Sequence, residues 1–316
     1  RLRPEVEFRL AELQEVAERS GVPVVQIGEQ CGKPHDCPLK PICWDFLPDY
    51  PVTDLYRNKK LGFELLEQGI LRLEDIPAGI QLNGKHHIQR TAAIDGEPQI
   101  DRGEVRRFLS EFEYPLQYLD FETVAPAIPL YQGTRPYQQV PFQFSLHIEG
   151  SPGAEVEHRG FLAEGREDPR PEFLRSLQDA LLDEGSIVVY NAGFEKGILR
   201  GLAESFPEGT DWVERLEPRI VDLLIPFRNM WYYHPDQNGS ASIKAVLPVL
   251  TDLAYDDLDI AEGGTASREF LRITFDDIDP TERARVRKNL EIYCALDTEA
   301  MVRIVRELEK MAGGAA

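Results

Sequence analysis

Positive charge is scarce in this chain. Its 316 residues hold 35 Lys and Arg against 55 Asp and Glu, a formal net charge of -20 at pH 7. That balance excludes a basic coat of the kind that binds nucleic acid non-specifically, though an acidic average can still hide a local groove. The cations present are mostly Arg, the type suited to gripping phosphate. Cysteine is equally rare. Of four residues, Cys31, Cys37 and Cys43 cluster and Cys294 stands alone, which argues against a disulfide scaffold and for metal binding by the cluster. No apolar run approaches the ~20 residues that cross a bilayer, and no secretory leader pattern opens the chain. No membrane partner and a cytoplasmic location are therefore expected. What remains is an ordinary folded composition, 42% hydrophobic, in a chain long enough for two domains.

The spacing predicts a helix over residues 4–19, with Val6, Leu10, Leu13 and Val16 on one face. The cysteine segment that follows is dense in Pro and Gly and reads as irregular. Residues 52–82 read as short helices joined at Gly69 into a small hairpin, and the first region closes near Glu113. From Tyr114 the pattern changes. "PLQYLDFET", "VPFQFSLHIEG" and "EVEHRGFLA" read as three strands. An amphipathic helix, the buried strand "SIVVYN", a helix over "FEKGILRGLAESF" and the strand "RIVDLLIPF" follow. A long helical stretch, one helix or two, closes the chain. This order indicates an α/β fold, a mixed sheet covered by helices, over residues 114–316, after a mainly helical cysteine-bearing module over residues 1–113.

Within "LQYLDFETVAPAIP", Asp120 and Glu122 flank Phe121 and must point to the same face of their strand. Two unit charges about 4 Å apart repel by about 4 kcal/mol at an effective dielectric near 20. Either one carboxyl takes up a proton or a cation sits between them. Strand-end acids facing solvent are the commoner explanation of a bare D-x-E, but three further features accompany this one. "VVYNAGFEKGIL" places Asn191 and Glu195 at a strand-to-helix junction, where an acid also suits the helix dipole. Asp222 ends an apolar strand. In "YCALDTEAM", Tyr293 and Asp297 stand four apart on one helical face.

D-x-E, N-x-x-F-E and Y-x-x-x-D in that order resemble the DEDD exonucleases of the ribonuclease H-like superfamily, in their tyrosine form. The resemblance covers roughly residues 114–312. Asp120 and Glu122 match the first motif, Asn191, Phe194 and Glu195 the second, and Tyr293 and Asp297 the third. "GSASIKAVLPVL", residues 239–250, is similar to the S-x-K-x-V segment that many members carry. One departure stands out: the second motif normally ends in Asp, and here it is Glu195. The resemblance implies a ribonuclease H-like, mixed five-stranded sheet. It also implies a 3′-to-5′ exonuclease that hydrolyses DNA or RNA with two Mg²⁺ or Mn²⁺ ions on Asp120, Glu122, Glu195 and Asp297. Hard oxygen ligands suit those ions, and an ion pair of this kind clamps both oxygens of a phosphodiester displacement. Tyr293 would orient the attacking water; Asp222 either supports the site or is an ordinary capping or turn residue, and Lys244 either meets a phosphate or is an ordinary surface lysine. The rival expectation is a catalytically decayed nucleic-acid-binding or scaffold module, with Glu195 marking a lost metal site.

Cys31, Cys37 and Cys43, with His35 between the first two, could bind Zn²⁺ tetrahedrally. A 4Fe–4S cluster usually takes a fourth cysteine, and none is nearby, since Cys294 lies inside the third motif. Simple packing is the third option. "CGKPHDCPLKPIC" is also similar to the terminal cysteine trio of RecB-like iron–sulfur nucleases. That resemblance extends to a bacterial family joining a RecB-like region to a ribonuclease H-like one. It implies an upstream nuclease region, with the first cysteine, that this chain, opening at Arg1, does not include. Arg57, Lys59 and Lys60 are candidates for nucleic-acid contact or for a solvated face. His86 and His87 are adjacent and cannot share a face, so no joint metal site is expected there.

Overall fold

The computed structural model describes residues 3–21, 25–255 and 258–313. The chain divides into two compact units, Arg1–Ile80 and Gln81–Ala316. In the first, helices α1 (Arg3–Glu18), α2 (Lys40–Cys43) and α3 (Lys59–Glu67) are joined by irregular segments. The predicted helix forms, but Val6, Leu10, Leu13 and Val16 are exposed along α1. Among the described residues of this unit, Val52, Leu55, Leu65, Leu73 and Ile76 are buried hydrophobic side chains. Gly62 in α3 lies so close to residue 52 that a Cβ would fall 2.5 Å from the Val52 carbonyl oxygen. The helical hairpin expected around Gly69 has only its first arm. Past Gly69 the chain is extended, with Arg72 bridged antiparallel to Pro51 and the Val52 N–H donating to Leu71 O, and Pro77 and Gly79 disfavour a second helix.

The second unit starts before Glu113. It takes in α4 (Gly84–Asp95), β1 (Gln99–Ile100) and α5 (Arg102–Leu109), then β2 (Leu116–Val124), β3 (Val140–Glu149) and β4 (Val156–Leu162). There follow α6 (Arg170–Ala180), β5 (Ile187–Val189), α7 (Ala192–Ser205), α8 (Thr210–Leu216), β6 (Ile220–Asp222), α9 (Ile225–Arg228) and β7 (Tyr232–Tyr233). Three helices close it: α10 (Ile243–Leu250), α11 (Gly263–Phe275) and α12 (Pro280–Gly313). The earlier boundary has a physical cause, because Gln99 and Ile100 pair with Tyr233 and Tyr232, and Val105 and Phe108 of α5 join the core against α12.

Five strands form one mixed sheet in the order β4-β3-β2-β5-β6. The β2–β3 and β3–β4 pairs are antiparallel, while β5 runs parallel to both β2 and β6. Helices cover both faces. Along β2, Leu119 and Phe121 pack with Phe173, Leu177, Leu199 and Leu202 of α6 and α7. Leu116, Tyr118 and Val124 face the other way, toward Phe270 of α11 and Val305 and Leu308 of α12. Period-two alternation therefore sends Asp120 and Glu122 to the α12 face, and a register shift in the β2–β3 pairing falls between Glu122 and Thr123. The closing helical stretch is one helix. Among the described residues no helix is long and apolar enough to cross a membrane.

Candidate metal centre

Asp297 projects from α12 toward β2, and ligand oxygens of Asp120, Glu122 and Asp297 all lie within 4.8 Å of one another. No other three described His, Cys, Asp or Glu residues gather so closely. The Cys31, Cys37, Cys43 and His35 set is not brought together in this way, nor is Glu195 part of the trio. Glu195 sits in the first turn of α7 with 1% of its surface exposed, and its Oε2 is buried without a hydrogen-bond partner. A carboxylate oxygen left unsatisfied in the interior is costly.

Burial dominates the electrostatics. It raises Asp120 well above the usual carboxylate range, and the charges of Asp297, Glu122 and Glu195 raise it further. Burial and then Asp297 push Glu122 up to about 8, against a smaller opposing pull from Lys244. Glu195 also rises to about 8, again chiefly through burial, with its own backbone N–H opposing and Asp222 adding. Asp297 rises only to about 6, because hydrogen bonding from Tyr255, the Lys244 charge and hydrogen bonding from Tyr293 offset its burial. Every member thus resists ionisation unless positive charge arrives. The donors are hard carboxylate oxygens, and an unpartnered acid stands beside them, so the set fits a Mg²⁺- or Mn²⁺-type ion.

A cleft of about 180 Å³ opens over the trio, lined also by Tyr190, Lys244, Tyr293 and Met301. Tyr293 is buried and its hydroxyl is pushed far up, by burial first and then by Asp297 and Glu122; it stays protonated and can only donate or orient. Tyr255 has no counterpart in the sequence reading. Its hydroxyl donates to Asp297 Oδ1 at 2.6 Å, and its ring stands edge-on to Tyr293 with centroids 6.4 Å apart. It belongs to a loop with no periodic pattern, so no local signal marked it. Lys244 lies over both rings, 5.4 Å from Tyr255 and 5.5 Å from Tyr293, and its ammonium donates to Ala261 O. Lys244 therefore faces the site rather than the outer surface. The Cys294 thiol, raised by burial, lies 3.9 Å from Asp120 Oδ2.

Asn191 and Asp222 act one step back. Asp222 Oδ1 accepts from the backbone N–H of Asn191 at 2.9 Å and of Leu224 at 3.1 Å, and Arg228 pairs with it at 3.7 Å. This ties the end of β6 to the start of α7. Asn191 holds φ +83, a left-handed value that Asn tolerates, and its side chain makes no capping bond. The turn it forms opens α7, whose first turn carries the buried Glu195.

Residues 117–242 match a family model described as "Domain of unknown function (DUF2779)". The matched span includes Asp120, Glu122, Asn191, Glu195 and Asp222, whereas Tyr255, Tyr293 and Asp297 lie beyond it. The chain is 26% identical over 279 residues to "Uncharacterized protein MG366 homolog" of Mycoplasma pneumoniae, covering 80% of this chain and 41% of that protein. "Uncharacterized protein MG366" of Mycoplasma genitalium is 26% identical over 209 residues, covering 60% of this chain and 31% of its own length. "Uncharacterized protein UU173" of Ureaplasma parvum is 25% identical over 216 residues, covering 61% and 31%. The chain spans about two fifths or less of the length of these curated relatives. No solved structure matches it.

Proposed function

We propose that the second unit is a divalent-metal-dependent nuclease of ribonuclease H-like fold, cutting DNA or RNA stepwise from the 3′ end. One observation carries the reading. Asp120 and Glu122 from a strand and Asp297 from a helix 175 positions later converge within 4.8 Å, where burial leaves them unable to ionise together without a cation. The mixed five-stranded sheet supports the ribonuclease H-like assignment. Bound Mg²⁺ or Mn²⁺ would neutralise the cluster, polarise a phosphodiester and lower the pKa of an attacking water. Asp120, Glu122 and Asp297 would hold the ion, and Glu195 would complete the shell from the α7 side. Tyr255 fixes Asp297 by its hydrogen bond. Tyr293, protonated throughout, orients water through its hydroxyl, and Lys244 offers positive charge to an incoming phosphate.

The test is cleavage of end-labelled single-stranded DNA and RNA with Mn²⁺, with chelator, and with Asp120→Ala. Stepwise shortening lost in both controls supports the proposal. Cleavage by Asp120→Ala equal to the parent refutes it. The place of Glu195 outside the trio favours one second reading, a scaffold that binds a single ion without cutting. Calorimetry showing Mn²⁺ binding without cleavage, by this chain and by the longer protein alike, would select it. For the longer protein we further propose an upstream nuclease-like region that supplies a fourth ligand to Cys31, Cys37 and Cys43. Iron and zinc analysis of that protein tests it.

A further inference from the structure

A cavity of about 380 Å³ lies between α12 and the paired strands β3 and β4. Gln143 and Ser145, which line it from β3, stand opposite Glu122 and Asp120 in the β2–β3 ladder. The cavity nevertheless shares no lining residue with the cleft over the metal centre, and the function proposed above leaves it unused.

Counting hydrogens assigns the polar atoms at its inner end. The Thr298 hydroxyl donates to Ala295 O at 3.1 Å. A hydroxyl carries one hydrogen, so Thr298 Oγ1 can only accept from its other two partners, Ser145 Oγ and His147 Nδ1, each 2.7 Å away. Ser145 has then spent its own hydrogen, and it accepts from His158 Nε2 at 2.9 Å. Both imidazoles therefore turn an N–H into this chain. Desolvation holds both below the ordinary histidine range, His147 at about 4, so both are neutral at pH 7. His158 takes no proton from Ser145, which rules the pair out as an activated serine nucleophile. Instead His158, exposed and lining the cavity, keeps a free lone pair on Nδ1.

Gln143 adds an acceptor with no partner. Only 2% exposed, it donates from Nε2 to Leu290 O at 2.8 Å. That bond fixes which way the amide is turned, because the reverse would set oxygen against oxygen. Its Oε1 is left buried without a hydrogen-bond partner. A stranded acceptor is destabilising, and a leucine of similar size would carry no such penalty.

The remaining lining sets shape and charge. Phe161 and Leu162 of β4 and Ile292 of α12 make apolar walls. Gly160 keeps the space beside them open, since a Cβ there would come 3.3 Å from Phe144 O and 3.7 Å from His158 Cε1. Lys288 and Glu291 pair at 3.6 Å, each at least half exposed, so the lining is formally neutral. An anion meets Lys288 alone, already held by Glu291. The chain's net charge of -20 draws cations instead. What matches two acceptors, a carboxylate and an aromatic wall is a flat cation with N–H donors around its edge. A guanidinium is such a group, weakly hydrated and able to stack on a ring while it bonds at its rim.

We propose that this cavity binds a guanidinium group on a short apolar stem, held by Gln143 Oε1, His158 Nδ1 and Glu291 against the Phe161 ring. The site does not depend on the nuclease reading and stands or falls without it.

Calorimetric titration with n-butylguanidinium, and with the neutral n-butylurea, tests it at about 0.15 M salt, where scattered surface charges are screened. We expect one site per chain, filled by butylguanidinium at least about tenfold more tightly than by butylurea. Gln143→Leu removes the stranded acceptor, and Ala295→Leu fills the cavity from α12. Each should weaken binding at least about tenfold, with a cooperative melt showing that the variant is folded. Glu291→Gln, at the exposed rim where folding is not at stake, should weaken it about twofold to fivefold. Free arginine and a capped arginine tripeptide then tell a small molecule from a partner's side chain, and uptake of either at the cavity upholds the site. Absence of saturable butylguanidinium binding overturns the proposal. So does binding that Gln143→Leu and Ala295→Leu both leave at parental strength, which would place the cation elsewhere on the acidic surface. Loss of binding in Asp120→Ala would place it at the carboxylate centre, and butylurea bound as tightly as butylguanidinium would make the cavity a site for neutral donors; either result overturns the assignment.

Discussion

Titrating the metal-free protein with Mn²⁺ at pH 7 should release between about two and three protons per ion. With their carboxyls near 8, Glu122 and Glu195 are each about nine-tenths protonated at that pH, and Asp120, raised well above the usual range by burial, adds up to one more. Asp297, near 6, contributes about a tenth. Each proton displaced makes the apparent affinity rise about tenfold per pH unit, so binding should strengthen steeply from about pH 6 to pH 8 and level off above. Calorimetry in two buffers of different ionisation enthalpy counts the protons directly. The same acids set the stability of the metal-free fold. Their folded pKa values lie above the unfolded ones, so their contribution is full below about pH 4 and lost as pH rises through about 6 for Asp297 and about 8 for Glu122 and Glu195. For Glu122 the rise from 4.5 to about 8 corresponds to roughly 5 kcal/mol as an upper bound. Metal-free protein should therefore melt at progressively lower temperature from about pH 5 to pH 8.5, and both Mn²⁺ and Glu122→Gln should lift the curve at the alkaline end. Affinity independent of pH, with no proton release, would mean that the cluster is already ionised and that burial does not govern it.

Three further outcomes follow from the same geometry. Tyr255→Phe removes the 2.6 Å bond to Asp297; a loss of roughly 1.5–3 kcal/mol, typical of a hydrogen bond to a charged group, should appear in denaturant melts, and the acid limb of the pH–rate profile should move upward. Glu195→Asp should keep metal-dependent cleavage, whereas Glu195→Gln should lower kcat by about a hundredfold or more if Glu195 completes the metal shell; equal rates for Glu195→Gln and parent would remove it from the site. Asp222→Ala frees the backbone N–H groups of Asn191 and Leu224 and should cost about 2 kcal/mol in urea melts, with weaker Mn²⁺ binding because the turn that opens the helix of Glu195 is loosened.

Much of the site was legible because its residues lie on regular elements. Asp120 and Glu122 share a face by the period of a strand, and Tyr293 and Asp297 by that of a helix. Those two local rules name four of the residues without any knowledge of the fold. Tyr255 carries no such period, and its place at Asp297 exists only through a contact across the chain. The second arm of the helical hairpin expected around Gly69 fails for a local reason, Pro77 and Gly79, and for a distant one. The segment is held extended by Pro51 and Val52, partners that propensity does not see.

By itself, then, the sequence determined the order of the five sheet strands and of α6, α7 and α12 among them, the face on which each paired acid lies, and an acidic chain with few cysteines. Tertiary structure alone decided that β2 and α12 meet at those acids and that Lys244 and Tyr255 turn inward to them. Periodicity is a property of a segment and can be read along the chain, whereas convergence, burial and the pKa shifts they cause depend on which segments pack together, and long-range packing fixes that.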